Sequence, residues 1–147
     1  DSVLENIEIG TLVLINTDIS ETTFRKVVCN EIIMDEVIAR KADFSEAKMS
    51  YSWLRGDFER ANFCDATLNH SILIGNFQNT VFVRANLAGS WLRECDIKKA
   101  NFISAHVSNM RLDLVSTGVR SVTLPDGSKH IPIENDWEKF TKISNKS

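Results

Sequence analysis

Residues 42–70 read ADFSE-AKMSY-SWLR-GDFER-ANFCD-ATLNH. A large apolar residue stands at the centre of each group: Phe44, Met49, Leu54, Phe58, Phe63 and Leu68. Two positions before each centre is a small residue: Ala42, Ala47, Ser52, Gly56, Ala61 and Ala66. A helix repeats its faces every 3.6 residues and a strand every 2, and neither period generates five. A five-residue side of a square coil does. Each side is a short extended stretch followed by a turn. The small first residue and the large central one point inward, and the other three face solvent.

Carried outward, the same cut divides residues 2–114 into 21 groups of five and two of four. Small residues hold the first position through Ala105, but before Ala42 they give way to Leu12, Val27, Ile32 and Val37. Four sides make a coil of about 20 residues, so the chain is expected to stack about five to six coils into a rod on the order of 27 Å long. The two groups of four, SWLR and SILI, lie 19 residues apart. They therefore fall on the same side of neighbouring coils and predict a tighter corner repeated in register. Gly56 and Gly75 follow these corners, where freedom at φ is useful.

Groups such as ADFSE, ANFCD, ANLAG and ANFIS resemble the A(D/N)(L/F)xx consensus of the pentapeptide-repeat family. More than a dozen in phase make the resemblance specific, and it covers roughly three quarters of the chain. It implies an all-β fold, a right-handed quadrilateral β-helix. Past residue 114 the phase is lost, which divides the chain into a repeat region, 2–114, and a C-terminal capping segment, 115–147. Pro125-Asp126-Gly127 is a turn signature, because proline presets φ and glycine accepts a positive value. Its flanks SVTL and KHIPI predict a hairpin, and residues 134–143 a short helix capped by Asn135 or Asp136. The ending LPDGSKH is similar to that of many bacterial members of the family.

Composition narrows the function. Of 147 residues 43% are apolar and 25% charged, and the net charge is −3. That gives neither a basic footprint for nucleic acid nor a polybasic strip for a membrane surface. No window approaches the ~18 apolar residues of a spanning helix, and no signal peptide is visible. Three cysteines without a CxxC pair fit a reducing compartment, and a cytoplasmic location is the expectation. The chain begins with Asp rather than Met, and a piece of a larger secreted effector is the alternative.

The register also sorts the outward residues into columns. One column, just before the central residues of one side, reads Val13, Ile33, Trp53, Ile72, Trp91, Arg111, with Ile15 and Ile74 beside it. The corresponding columns on the other three sides are mainly polar. Val13, Ile33, Trp53, Ile72, Ile74 and Trp91 thus form a candidate protein-binding face, since contiguous apolar patches mark interfaces and Trp is a typical anchor. Two coverings are open: another molecule, or the chain's own tail through Leu124, Ile131, Ile133, Trp137, Phe140 and Ile143. Trp137, Phe140 and Ile143 are also candidate cap or homodimer contacts, so the expected state is a monomer or a dimer through the C-terminal segment.

Chemistry finds little support. His70 and His106 lie on one side of the rod but almost two coils apart, about 10 Å, too far to share a metal. Cys29 and Cys95 take inward positions and Cys64 an outward one. Asp43, Asp57 and Asp96 stand where side chains bond nearby turn N–H groups. HExxH, CxxC and phosphate-loop motifs are absent. No catalytic, cofactor-binding or metal-binding residues are therefore assigned. The reading is a non-enzymatic binding or scaffold module for a protein partner. The family resemblance supplies one alternative, DNA mimicry toward a type II topoisomerase giving drug or toxin protection. Residues 2–114, with 12 basic and 15 acidic residues, are poorly suited to it. An accessory domain of a larger bacterial effector is the other alternative.

Overall fold

The computed structural model describes residues 2–114 and 122–130. They form an all-β, four-sided solenoid. One side is a six-stranded parallel sheet in chain order: β1 (Glu8–Ile15), β2 (Val28–Ile38), β3 (Trp53–Asp57), β4 (Ile72–Asn76), β5 (Trp91–Asp96) and β6 (Arg111–Leu114). Single parallel bridges stack the other sides, as in Thr23–Asp43–Asn62–Val81–Asn101 and Val28–Lys48–Thr67–Asn86–His106. These are the columns that the five-residue cut assigns. No helix occurs among the described residues.

The corners explain why five residues suffice for a side. Seventeen non-glycine residues have φ between 48 and 60°, and every one is the fifth of its group, Glu46, Tyr51, Arg60 and His70 among them. A positive φ at the third residue of a turn is the type II signature. At most corners away from the sheet the N–H three residues past the centre closes the turn, as in Ala47 to Phe44 O at 3.2 Å. For residues other than glycine this geometry costs roughly 1 kcal/mol each. The main-chain ladder running from coil to coil offsets it.

The groups of four have no fifth residue. Glu36 and Glu94, at φ 54 and 50°, bulge out of β2 and β5. No counterpart to them exists in β3 and β4, which pair without a register shift, Gly56 on Gly75. The corner is made by those two glycines instead, at φ 154 and 112°.

Inside, the central residues stack into columns. Phe24, Phe44, Phe63, Phe82 and Phe102 form one face-to-face ladder with ring centroids 4.9 to 5.3 Å apart, and Phe58 stacks on Phe77 at 4.9 Å. The spacing equals the rise between coils, so the rings meet wherever the coils do. In one group the order of sizes is inverted, Val37 first and Ala39 central, and both are buried. Small hydroxyls at first positions bond inward carbonyls: Ser52 Oγ donates to Met49 O at 2.6 Å and Thr80 Oγ1 to Phe58 O at 3.0 Å.

The repeat resumes beyond the break that its lost phase implies. Strand β7 (Val122–Thr123) pairs antiparallel with β8 (Lys129–His130), which forms the expected hairpin. Thr123 also bridges Asn101 in parallel, with Phe102 N to Thr123 O at 2.8 Å and Ser104 N to Pro125 O at 2.8 Å. Val122 and Leu124 are buried at the first and central positions of one more side, next to Ala100 and Phe102. The hairpin thus closes the end of the Phe ladder. The expected helix at 134–143 lies outside the described residues.

The Asx positions act as the sequence suggests. The Oδ1 atoms of Asp43, Asp57 and Asp96 accept from the N–H two residues on, at 2.9 to 3.1 Å. Asn76 Nδ2 adds a bond to Asp57 Oδ1 at 2.9 Å, and Arg40 Nε one to Oδ2 at 2.6 Å. Asp57→Ala is expected to lower stability by roughly 1–2 kcal/mol, since it orphans the Glu59 N–H and the Asn76 amide at once. Urea denaturation checks this; a midpoint equal to that of the parent would remove the corner role.

Candidate functional site

The six-stranded sheet is the side on which successive coils pair along several residues rather than through single bridges. Alternation along each strand buries the centres Leu14, Met34, Leu54, Leu73, Leu92 and Leu112 to different degrees, with Met34, Leu54, Leu73 and Leu92 at 0% exposure. The residues on either side of each centre point out. One outward column is Val13, Ile33, Trp53, Ile72, Trp91, Arg111, paired rung by rung in the sheet. The structure therefore brings together all six candidate-face residues. Ile33, Trp53, Ile72, Ile74 and Trp91 are half-buried by their stacked neighbours, while Val13 is 51% exposed and Ile15 57%.

The second outward column lies two residues on: Ile15, Asp35, Arg55, Ile74, Arg93, Asp113. Sequence reasoning took only Ile15 and Ile74 from it, although the register that places Trp53 also places Arg55. These charges set the edge of the stripe. Arg55 forms ion pairs with Asp35 and with Glu36, the latter at 3.0 Å. Trp91 Nε1 donates to Asp113 Oδ2 at 2.9 Å. The Arg93 guanidinium sits 5.4 Å from the Trp91 ring centre, in cation–π range, and contacts Glu94 at 3.1 Å.

Leu124 does not cover this stripe; it is held over the end of the Phe ladder by the hydrogen bonds of Thr123 and Pro125. Ile131, Ile133, Trp137, Phe140 and Ile143 lie outside the described residues. On the adjoining corner Tyr51, 70% exposed, stacks on His70 at 5.2 Å. A Cβ on Gly89 would lie 2.6 Å from the His70 ring, so glycine makes room for that imidazole. The charged groups of the other sides are largely paired. Arg40 meets Asp57, Lys41 meets Glu21 at 2.7 Å, and Arg84 meets Asp65 at 2.6 Å.

The three cysteines are free thiols. Cys95 is fully buried, and burial pushes its thiol far above the usual range. Cys64 is half-buried, with Sγ 3.3 Å from Asp65 Oδ2. Burial first and then the Asp65 carboxylate push its thiol up, and Arg84 opposes them only in part. At neutral pH Cys64 is thus held as the weakly nucleophilic thiol. His106 bonds Ser108 Oγ at 2.9 Å. Among the described residues no group of three or more His, Cys, Asp or Glu side chains is placed to hold a metal ion.

A family model for pentapeptide repeats matches residues 76–116 in eight copies. No curated protein sequence matches the chain. Among solved structures, a trypsin-treated form of QnrB1, a plasmid-mediated fluoroquinolone resistance protein, superposes with a TM-score of 0.56 at 16% identity, over 74% of this chain and 67% of that one. HetL, a pentapeptide repeat protein involved in heterocyst differentiation regulation from the cyanobacterium Nostoc, aligns at TM-score 0.30 and 17% identity, over 86% and 92% of the two chains. A pentapeptide repeat protein of the Arabidopsis thaliana thylakoid lumen aligns at 0.29 and 20%, over 69% and 68%. The QnrB1 superposition shows a shared fold. Residues 76–116 are thus pentapeptide repeats, and the coil-to-coil bridges that stack them continue through the coils that precede them.

Proposed function

We propose that this chain is a non-enzymatic docking module that binds a protein partner through the stripe formed by Val13, Ile33, Trp53, Ile72, Ile74 and Trp91. One observation carries the reading: the six-stranded sheet directs Trp53 and Trp91, with Val13, Ile33 and Ile72, outward in a single column. Large aromatic anchors on a preorganised sheet lose little conformational entropy on binding. The interior supports a scaffold role, because stacked Phe and Leu side chains fill it. Pentapeptide-repeat proteins are in general structural or binding modules.

The alternative that the family resemblance supplies, drug or toxin protection of a type II topoisomerase by imitating DNA, draws less support. A DNA-like surface needs rows of unpaired negative charge. Here Arg40, Lys41, Arg55 and Arg84 interrupt the acidic rows with ion pairs.

The test is capture of binding proteins by the intact chain and by a Trp53→Glu/Trp91→Glu variant. Both side chains point outward, so the variant is expected to keep its circular dichroism spectrum and to melt within a few degrees of the parent. A binding protein lost from the folded variant supports the docking face. An unchanged set of binding proteins overturns it.

A further inference from the structure

We infer that the occupant of this stripe is a second copy of the chain, related by a two-fold axis parallel to the rod. The inference rests on the docking reading above and names its partner. Two flat faces can pack about a two-fold axis only if the axis lies in the plane between them. Two orientations respect the lattice of strands, one along the rod and one across it.

An axis along the rod keeps each strand level with its own copy and swaps the two outward columns. Each strand then meets itself, and its two outward residues must match each other. In β1 that sets Val13 over Ile15, and in β4 Ile72 over Ile74. In β3 and β5 it sets Trp53 over Arg55 and Trp91 over Arg93, the indole–guanidinium pairing that Arg93 already makes with Trp91 at 5.4 Å. In β6 it sets Arg111 over Asp113, opposite charges. Five of the six strands are self-complementary. The exception is β2, where Ile33 meets Asp35, and that carboxylate is already neutralised by Arg55.

An axis across the rod reverses the order of the strands. With all six strands overlapped it would set Arg111 over Val13, Asp113 over Ile15 and Arg55 over Ile74, and only β2 over β5, with Ile33 on Trp91 and Asp35 on Arg93, would match. Charges set against apolar side chains at four of the six levels make it the poorer fit. The charge pattern therefore chooses the orientation as well as the partner.

The face measures roughly 24 by 16 Å, about 400 Å² per copy, which is below the size of a standard specific interface and in the range of weak, transient contacts. The dimer is therefore expected to be weak and reversible.

Sedimentation of the full chain over a concentration series tests this. The parent is expected to pass from monomer to dimer. Arg111→Asp places a carboxylate over Asp113, and Asp113→Arg places a guanidinium over Arg111. Each variant alone is expected to associate at least tenfold more weakly. Their equimolar mixture is expected to recover dimer, because both cross-pairs become attractive. Residues 111 and 113 are exposed, so both variants retain the fold. A dimer indifferent to these changes overturns the proposal and moves self-association elsewhere, the C-terminal segment included. A chain that stays monomeric also overturns it. If a captured protein is still lost from Trp53→Glu/Trp91→Glu, the docking reading survives with a different occupant. If capture too ignores the stripe, both fall.

Discussion

Gly75→Ala is expected to remove most of the stability of the fold, and Gly56→Ala nearly as much. A Cβ at Gly75 would lie 2.2 Å from Gly56 O, and one at Gly56 would lie 2.1 Å from Val37 O. Both obstacles are backbone atoms of the coil before, so no rotamer change relieves the clash. The φ values of 112 and 154° add strain of their own for a side chain. Relief requires the tight corner to open, which would break the Gly56–Gly75 pairing and the in-register stacking of β3 on β4. A loss of roughly 3–5 kcal/mol is expected, and a melting temperature lower by roughly 10–15 °C. Gly10→Ala is the control, because a Cβ there meets nothing within 4 Å. Scanning calorimetry of the three variants decides the matter. A Gly75→Ala melt close to that of Gly10→Ala would mean that the corner relaxes and the groups of four are not sterically enforced.

The second large effect is expected from Phe63→Ala. Phe63 is fully buried in the middle of the ladder, with rings stacked on both sides, Phe44 at 4.9 Å and Phe82 at 5.3 Å. Truncation removes the transfer free energy of the ring, leaves a cavity and breaks two stacking contacts. Together these cost roughly 3–5 kcal/mol. The coils are held apart by their main-chain hydrogen bonds, so the site cannot collapse to fill the void. Phe63→Leu keeps most of the volume and is expected to cost about half as much. Chemical denaturation of both variants provides the comparison. Equal losses would show that stacking geometry, rather than volume, dominates the ladder. Because each coil touches only its neighbours, the damage is also expected to be local in hydrogen exchange, with faster exchange at Phe44 and Phe82 before Phe24 or Phe102.

Much of this fold was legible in the residue pattern because a solenoid reduces tertiary structure to a count. Once Phe44, Phe63 and Phe82 are known to share a side, every outward residue has an address. Trp53, Ile72 and Trp91 fell into line for that reason. The inference that SWLR and SILI share one side followed from the same arithmetic. The count failed after Leu114, because Leu124 stands 12 residues past the last central residue, Leu112, which is no multiple of five. The return of the rhythm in Val122, Thr123 and Leu124 is too short to stand out in a sequence, and only the Thr123–Asn101 bridge reveals it. The charged edge of the stripe was in principle available from the same addresses. Arg55 and Arg93 attract no attention as single charges, and their place beside the Trp residues gives them meaning.

The sequence by itself determined the period, the four sides, the register of the coils, the place of the two tight corners and the side that carries the apolar stripe. These follow from which residues are small, which are large and how far apart they stand, and that spacing is a one-dimensional property. Only the tertiary structure decided the left-handed fifth residues, the face-to-face stacking of the Phe ladder, the clash that demands Gly56 and Gly75, and the capping of the ladder by Leu124. Each of these depends on distances between atoms in successive coils. They are set by the main-chain hydrogen bonds that hold the coils one strand spacing apart, and no local preference of Glu, Lys, Tyr or Arg for a positive φ announces them.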